Sequence, residues 1–269
     1  MPVALCGCTE TQWQTMGEGP EPALILHCGM GRGSMWRRVA QGLADRVTMT
    51  LPDLPGHGRS GPWQPDLDVH DQASAMARSF LDRPMHLVGH SFGGTVALRL
   101  AVEVPELVLS LTLVEPVLFA AAAHDAIYAT SRSEETGFTD RFLAGDPMDA
   151  ARLFNRQWGD GQPWDALTPQ AHEMMAANMP FIIASQSALW DDVHGLLAPG
   201  GLESIAAPVS MIRGAQSPAI MQAVHAALGS RLPKARDVVV DGAGHMVVIS
   251  HPDAVAEAIR DTMARGSVS

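Results

Sequence analysis

Cysteine is scarce in this chain: Cys6, Cys8 and Cys28 are the only three in 269 residues. A disulfide framework therefore does not hold the fold together. Cys6 and Cys8 stand one residue apart with no matching Cys or His pair, which excludes an ordinary zinc site. Charge is thin as well. Asp, Glu, Lys and Arg make up 17% of the residues, with 18 basic against 29 acidic and a formal charge of -11. Nucleic acid as the main partner needs a basic surface, so this balance excludes it. No run of Lys and Arg suits an anionic membrane face. No apolar segment reaches the ~20 residues that span a bilayer. The first residues, Met1-Pro2-Val3-Ala4-Leu5, lack the basic start and long apolar run of a signal peptide. A soluble, cytoplasmic protein is expected. A Gly-x-Gly-x-x-Gly after the first strand, a Gly-Lys-Ser/Thr phosphate loop and a His-Glu-x-x-His are all missing, so neither cofactor nor metal is expected.

What the chain does have is apolar mass, 46% of its residues. That suits one domain of ordinary size, or one with an insertion. Short aliphatic runs alternate with longer helical stretches, the pattern of a mainly parallel sheet covered by helices. Strands are predicted at 23–27, 46–51, 85–89, 107–114, 209–213 and 237–240, with 3–6 and 12–15 as an antiparallel edge. Helices are predicted near 34–43, over 70–82, directly after Ser91, and at 218–228 and 252–262. Between Pro116 and Pro208 the alternation stops. This Ala- and Met-rich stretch reads as helices, broken at Gly145-Asp146-Pro147 and Gly159-Asp160-Gly161. It carries most of the chain's few aromatic residues, Trp158 and Trp164 among them. The expected layout is a core of residues 1–117 and 201–269 with a helical cap, 118–200, inserted into it.

The strongest chemical signal is Gly89-His90-Ser91-Phe92-Gly93-Gly94, which follows an aliphatic run and opens a helical one. That is the context of a Gly-x-Ser-x-Gly nucleophile elbow. A serine on so sharp a strand-to-helix turn is strained, and the close approach of strand and helix leaves no room for side chains at Gly89 and Gly93. The turn exposes the serine oxygen and aims the Phe92 amide at the reaction centre, near a helix N-terminus.

From about residue 23 to 264 the chain resembles the α/β-hydrolase superfamily, in its capped, serine-nucleophile branch. The resemblance implies an α/β fold: a mostly parallel, eight-stranded sheet flanked by helices, with an inserted helical cap. Residues 51–60, Leu-Pro-Asp-Leu-Pro-Gly-His-Gly-Arg-Ser, look like the family's loop after the strand preceding the elbow, with His57 structural. His27-Cys28-Gly29-Met30-Gly31, ahead of Trp36, looks like the oxyanion loop. Counting back from Trp36 makes Gly29 the second oxyanion donor beside Phe92; a shift of one residue would make it Met30. Cys28 departs from the family's usual Gly. Asp241-Gly242-Ala243-Gly244-His245 is similar to the catalytic histidine turn and implies His245 as general base.

The acid departs most. The family's usual Asp position is occupied by Ser217, and a serine cannot hold an imidazolium as a carboxylate does. Some members place the acid after the strand that follows the elbow helix, and there this chain has Glu115. Glu115 is the expected acid, with the cap pair Asp191-Asp192 as the alternative. His90, Trp158 and Trp164 are expected to line a substrate pocket. A serine rather than an aspartate at the elbow argues against dehalogenase or epoxide hydrolase chemistry. The expected function is a serine hydrolase that cleaves a small or medium carboxylic ester, with an apolar portion, through an acyl-enzyme. Thioesters, lactones and carbon–carbon bonds beside a carbonyl remain open as substrates of the same triad. A binding or signalling protein with weak activity is the rival from another class.

Overall fold

The structure is a computed structural model and describes residues 1–266; the last three residues of the expected core segment 201–269 lie outside the described residues. The strands along the chain are β1 (Val3–Cys6), β2 (Thr9–Met16), β3 (Glu21–Leu26), β4 (Val47–Pro52), β5 (Met85–His90), β6 (Val108–Val114), β7 (Val209–Gly214) and β8 (Ala235–Val240). They form one sheet in the order β1-β2-β4-β3-β5-β6-β7-β8. The β1–β2 and β2–β4 pairs are antiparallel, and every pair from β4 to β8 is parallel.

Central strands of such a sheet are buried on both faces, which is why they read as unbroken apolar runs. Side chains nonetheless alternate between two separate cores. Leu24, Leu26, Leu87, Leu111 and Leu113 join one. Their neighbours Ala23, Ile25, Val88 and Val114 join the other. The first core is completed by α2 (Val69–Arg78), α3 (Phe92–Glu103) and α7 (Ala219–Arg231). The second is completed by α1 (Arg37–Gln41), the short α8 (Val247–Ser250) and α9 (Pro252–Gly266). Helices thus cover both faces, as the alternation of apolar runs requires.

Between β6 and β7 the chain makes no strand. It forms α4 (Ile127–Leu143), α5 (Pro147–Trp158) and α6 (Pro169–Trp190), joined by short turns. The expected breaks fall where the chemistry puts them. Asp146 caps α5 by accepting from the Asp149 amide at 2.9 Å, with Pro147 in the first turn, where its missing N–H costs nothing. Thr168 and Pro169 start α6 in the same way. α6 then continues through Pro180, because packing of Met179, Phe181 and Ile182 outweighs the hydrogen bond lost there. The other boundaries shift by a few residues from the sequence expectations: β8 begins at Ala235 and α2 stops at Arg78. The one-turn α8 has too few residues to carry a helical period and had no sequence signal.

Parallel register lines up the strand ends that matter. His90 pairs with Val114, and Val114 with Ile212, so the chain leaves β5, β6 and β7 side by side at one edge.

Candidate active site

Ser91 stands at the end of β5 with φ 55° and ψ -119°, a conformation a non-glycine residue adopts only under tertiary constraint. The flanking glycines make it possible. A Cβ on Gly89 would lie 2.2 Å from the Gly93 carbonyl oxygen, and one on Gly93 would lie 2.4 Å from that of His27. No side chain fits at either place. Ser91 anchors its own amide on the Val114 carbonyl at 2.8 Å. Phe92 opens α3, so its amide has no partner within the helix.

Glu115 follows β6 in a second strained turn, φ 50°, with its side chain fully buried. Its Oε1 accepts from the Gly214 amide at 2.7 Å and from Ser217 Oγ at 2.5 Å. Its Oε2 lies 3.0 Å from His245 Nδ1, and His245 Nε2 lies 3.0 Å from Ser91 Oγ. Four loops, after β5, β6, β7 and β8, therefore meet in one hydrogen-bonded chain. Burial alone would raise the Glu115 pKa, but hydrogen bonds from His245, Ser217 and the Gly214 amide outweigh it and hold the carboxyl below its ordinary range. Ser217, the residue at the family's usual acid position, donates to this carboxylate. Asp191 and Asp192 are elsewhere: Asp191 faces Arg132, and Asp192 accepts from the Leu196 and Leu197 amides.

The loop expected to supply the second oxyanion donor is tied to residues 52–60 at several points. His27 Nε2 accepts from the Leu54 amide at 2.9 Å, His57 Nε2 accepts from the Met30 amide at 3.0 Å, and Asp53 Oδ1 accepts from the Gly33 amide at 2.8 Å. His57 is thus a strut between the two loops. The Met30 amide is spent on it, whereas the Gly29 amide makes no hydrogen bond among the described residues.

A cavity of about 360 Å³ opens beside Ser91. Gly29, Ser91, Phe92 and His245 form part of its wall, and Phe119, Phe154, Trp158, Met175, Ile182 and Leu189 form much of the rest. The Trp158 ring meets His245 edge-on at 4.9 Å between centroids. Two expected lining residues are not on this wall. Trp164 stacks on His172 at 4.0 Å, away from the cavity, because His172 Nε2 also donates to the Trp164 carbonyl and locks the pair together. His90 is buried behind the site and donates through Nε2 to the His245 carbonyl at 2.9 Å. Burial, followed by the nearby His245, pushes the His90 pKa down to about 3. It holds the turn that carries His245. Glu135 and Asn155, which also line the cavity, had no sequence signal beyond lying in helical stretches. Among the described residues, Asp68, Asp71 and His194 form the one cluster with metal-ligand geometry. Asp68 already caps α2, and Asp71 pairs with Arg99 at 2.7 Å.

The buried histidines carry a stability prediction. Burial pushes His27, His57, His70, His86 and His90 below their ordinary value. In the unfolded chain each titrates near ~6.5. The folded state therefore binds fewer protons below that pH, and its stability falls as pH drops from about 6.5 toward the folded values. Each group contributes up to about 1.4 kcal/mol per pH unit in that window. The urea midpoint should drop clearly between pH 7.5 and 5.5; a midpoint that stays flat down to pH 5 contradicts this.

The chain matches the model of the alpha/beta hydrolase family over residues 23–258. It is 32% identical over 266 residues to Lipase LipV of Mycobacterium tuberculosis (strain ATCC 25618 / H37Rv), covering 91% of this chain and 94% of that one. It is 30% identical over 255 residues to the pimeloyl-[acyl-carrier protein] methyl ester esterase of Aeromonas salmonicida (strain A449), covering 92% and 96%. In structure it is similar to a putative lipase (lip1) from Acinetobacter baumannii AYE, with a TM-score of 0.76 at 22% identity over 99% of this chain and 91% of that one. The order of the sheet, the strained turn after β5 and the match over most of its length make this chain a member of the alpha/beta hydrolase family.

Proposed function

We propose that the protein is a serine hydrolase that cleaves a small or medium carboxylic ester, with a substantial apolar portion, through an acyl-enzyme. The observation that carries this reading is the hydrogen-bonded chain Ser91–His245–Glu115 beside an apolar cavity. Ser91 Oγ attacks the ester carbonyl carbon while His245 Nε2 takes its proton. The amides of Phe92 and Gly29 receive the oxyanion; the engagement of the Met30 amide with His57 supports Gly29 over Met30. His245 returns the proton to the leaving alcohol. Water, deprotonated by the same nitrogen, then attacks the acyl-enzyme and releases the acid. Glu115 holds His245 in the Nδ1–H tautomer and stabilises its positive form. Residues 118–200 act as the cap over a core of 1–117 and 201–269, and the free Cys6, Cys8 and Cys28 suit a reducing, cytoplasmic compartment.

A carboxylate on His245 Nδ1 supports turnover over a role in binding alone. The lipase and methyl ester esterase names of relatives with 30% identity or more support an ester over other bonds. The test is labelling with a fluorophosphonate probe, read beside a screen of esters, thioesters and lactones of graded chain length. Labelling at Ser91 with fastest turnover of esters is expected. An unlabelled, folded protein refutes the serine mechanism, and a preference for thioesters or lactones corrects the leaving group.

Trp158 sits between His245 and the cap aromatics, so its loss should reshape the cavity near the reacting carbonyl. Trp158→Ala is expected to shift the preference between short and long acyl chains by about tenfold, with probe labelling retained. Equal slowing of every chain length would make Trp158 a packing residue only. Trp164→Ala, off the cavity wall, is expected to leave the preference unchanged.

A further inference from the structure

Glu135 is the buried carboxyl for which the triad chemistry has no use. It projects from α4, is 6% exposed, and lines the same cavity as Ser91 among Phe119, Phe154, Trp158 and Leu189. No salt bridge neutralises it among the described residues. Arg132, one turn earlier on α4, reaches Asp191 at 3.3 Å and lies over the Trp190 ring at 5.1 Å. Gln186 Nε2 lies 3.1 Å from Oε1 and also donates to Thr139 Oγ1 at 2.7 Å, and the buried Trp190 indole N–H is a second donor beside the carboxyl. A carboxylate offers about four acceptor positions, so part of its capacity is unused. Burial, offset only in part by Gln186, Trp190 and Arg132, pushes the Glu135 pKa up to about 7.

A residue needed only to join α4 to α6 gains nothing from setting a weakly paired carboxyl against an apolar cavity, where burial is costly. The position makes sense when the missing donor arrives with the substrate. We propose that Glu135 is a specificity-determining residue that accepts a hydrogen bond from a hydroxyl on the apolar portion of the substrate, so that hydroxy-substituted esters are preferred over plain alkyl esters. A neutral hydroxyl suits this place better than an ammonium, because a carboxyl that spends part of its time protonated can accept from a hydroxyl in both forms. A plain alkyl chain laid against Glu135 would instead strip water from its oxygens and return nothing.

The inference rests on the ester-hydrolase reading, and its test keeps the two apart. Straight-chain 4-nitrophenyl esters of graded length are each paired with the terminal hydroxy analogue, and the ratio of kcat/KM within each pair is measured. Whichever triad step limits the rate, it is common to both members of a pair. At the best-fitting length the wild type should favour the hydroxy ester by about tenfold or more, chiefly through KM. Glu135→Met, close in length and flexible enough to fill the space, should abolish that preference. Glu135→Gln keeps an acceptor but loses its charge, and should reduce the ratio at least about threefold. It also serves as the deciding variant should Glu135→Met not fold. A wild-type ratio within about twofold of that in the folded variants overturns the proposal. Fluorophosphonate labelling of Ser91 in the same proteins separates the failures: an unlabelled wild type refutes the ester mechanism, whereas labelling with an unmoved ratio refutes the role of Glu135 alone.

Discussion

Ser91→Ala is expected to lose ester turnover by about a millionfold, the loss seen when a triad serine is removed from an unrelated hydrolase. The mechanism gives no other atom the chance to form the acyl-enzyme, so what survives comes from substrate binding and the oxyanion amides alone. The fold should tolerate the change, and the variant is expected to gain stability. Ser91 is held at positive φ by Gly89, Gly93 and the Val114 carbonyl, not by its side chain, and its Oγ makes one hydrogen bond among the described residues, with His245 Nε2. Active sites commonly trade stability for function in this way. Steady-state assays with a fluorogenic ester, paired with thermal melts, check both parts. Activity within tenfold of wild type in a folded Ser91→Ala would sink the serine mechanism.

Glu115→Gln should cost about ten-thousandfold at neutral pH, and the reason is geometric. Oε1 of Glu115 faces two donors, the Gly214 amide and Ser217 Oγ, so an amide placed there must turn its oxygen toward them. Its NH₂ then faces His245 Nδ1. A donor at that point forces His245 into the Nε2–H tautomer, which cannot take the proton of Ser91. Ser217→Ala should be mild, a few-fold, since it removes one of the hydrogen bonds that keep the carboxyl ionised and leaves the others. Ser217→Asp in the Glu115→Gln background should recover part of the rate by returning a carboxylate to the same place. Rates near wild type for Glu115→Gln, together with a crippled Ser217→Ala, would overturn the assignment. The pH profile adds a check: the depressed Glu115 pKa keeps the carboxylate charged well below neutrality, so the acid limb of wild-type activity should not come from this group.

Much of the sheet and the elbow could be read from the sequence because their constraints act between adjacent residues. Gly89 and Gly93 mark a steric need that spans a single turn, and buried parallel strands leave continuous apolar runs wherever they fall. The expectation for Glu115 had a different basis. An acid set directly after a buried strand is costly without a partner, and some members of the superfamily that the chain resembles place their acid there. What could not be read depends on contacts between distant parts of the chain. His57 and Met30 meet across 27 residues, and His90 meets the His245 carbonyl across 155. Nothing in the neighbourhood of His90 says that its ring turns inward, so its position next to Ser91 suggested a pocket wall. Trp164 and Trp158 stand a few residues apart in the same aromatic-rich stretch, yet only Trp158 is on the cavity. Which face of an amphipathic segment meets the substrate is decided by how α5 and α6 dock, and composition does not carry that choice. Glu135 was invisible for the same reason.

The meeting of Glu115 and Ser217 has a consequence for how such sites diverge. Two adjacent strand ends deliver side chains to one point next to His245, so the acid's address along the chain is separable from its address in space. A lineage could move the carboxylate from one strand to the other through an intermediate in which both are present and share a proton, with His245 never losing its partner. A search keyed to chain position alone meets Ser217, while a search keyed to the atom nearest His245 Nδ1 meets the Glu115 carboxylate.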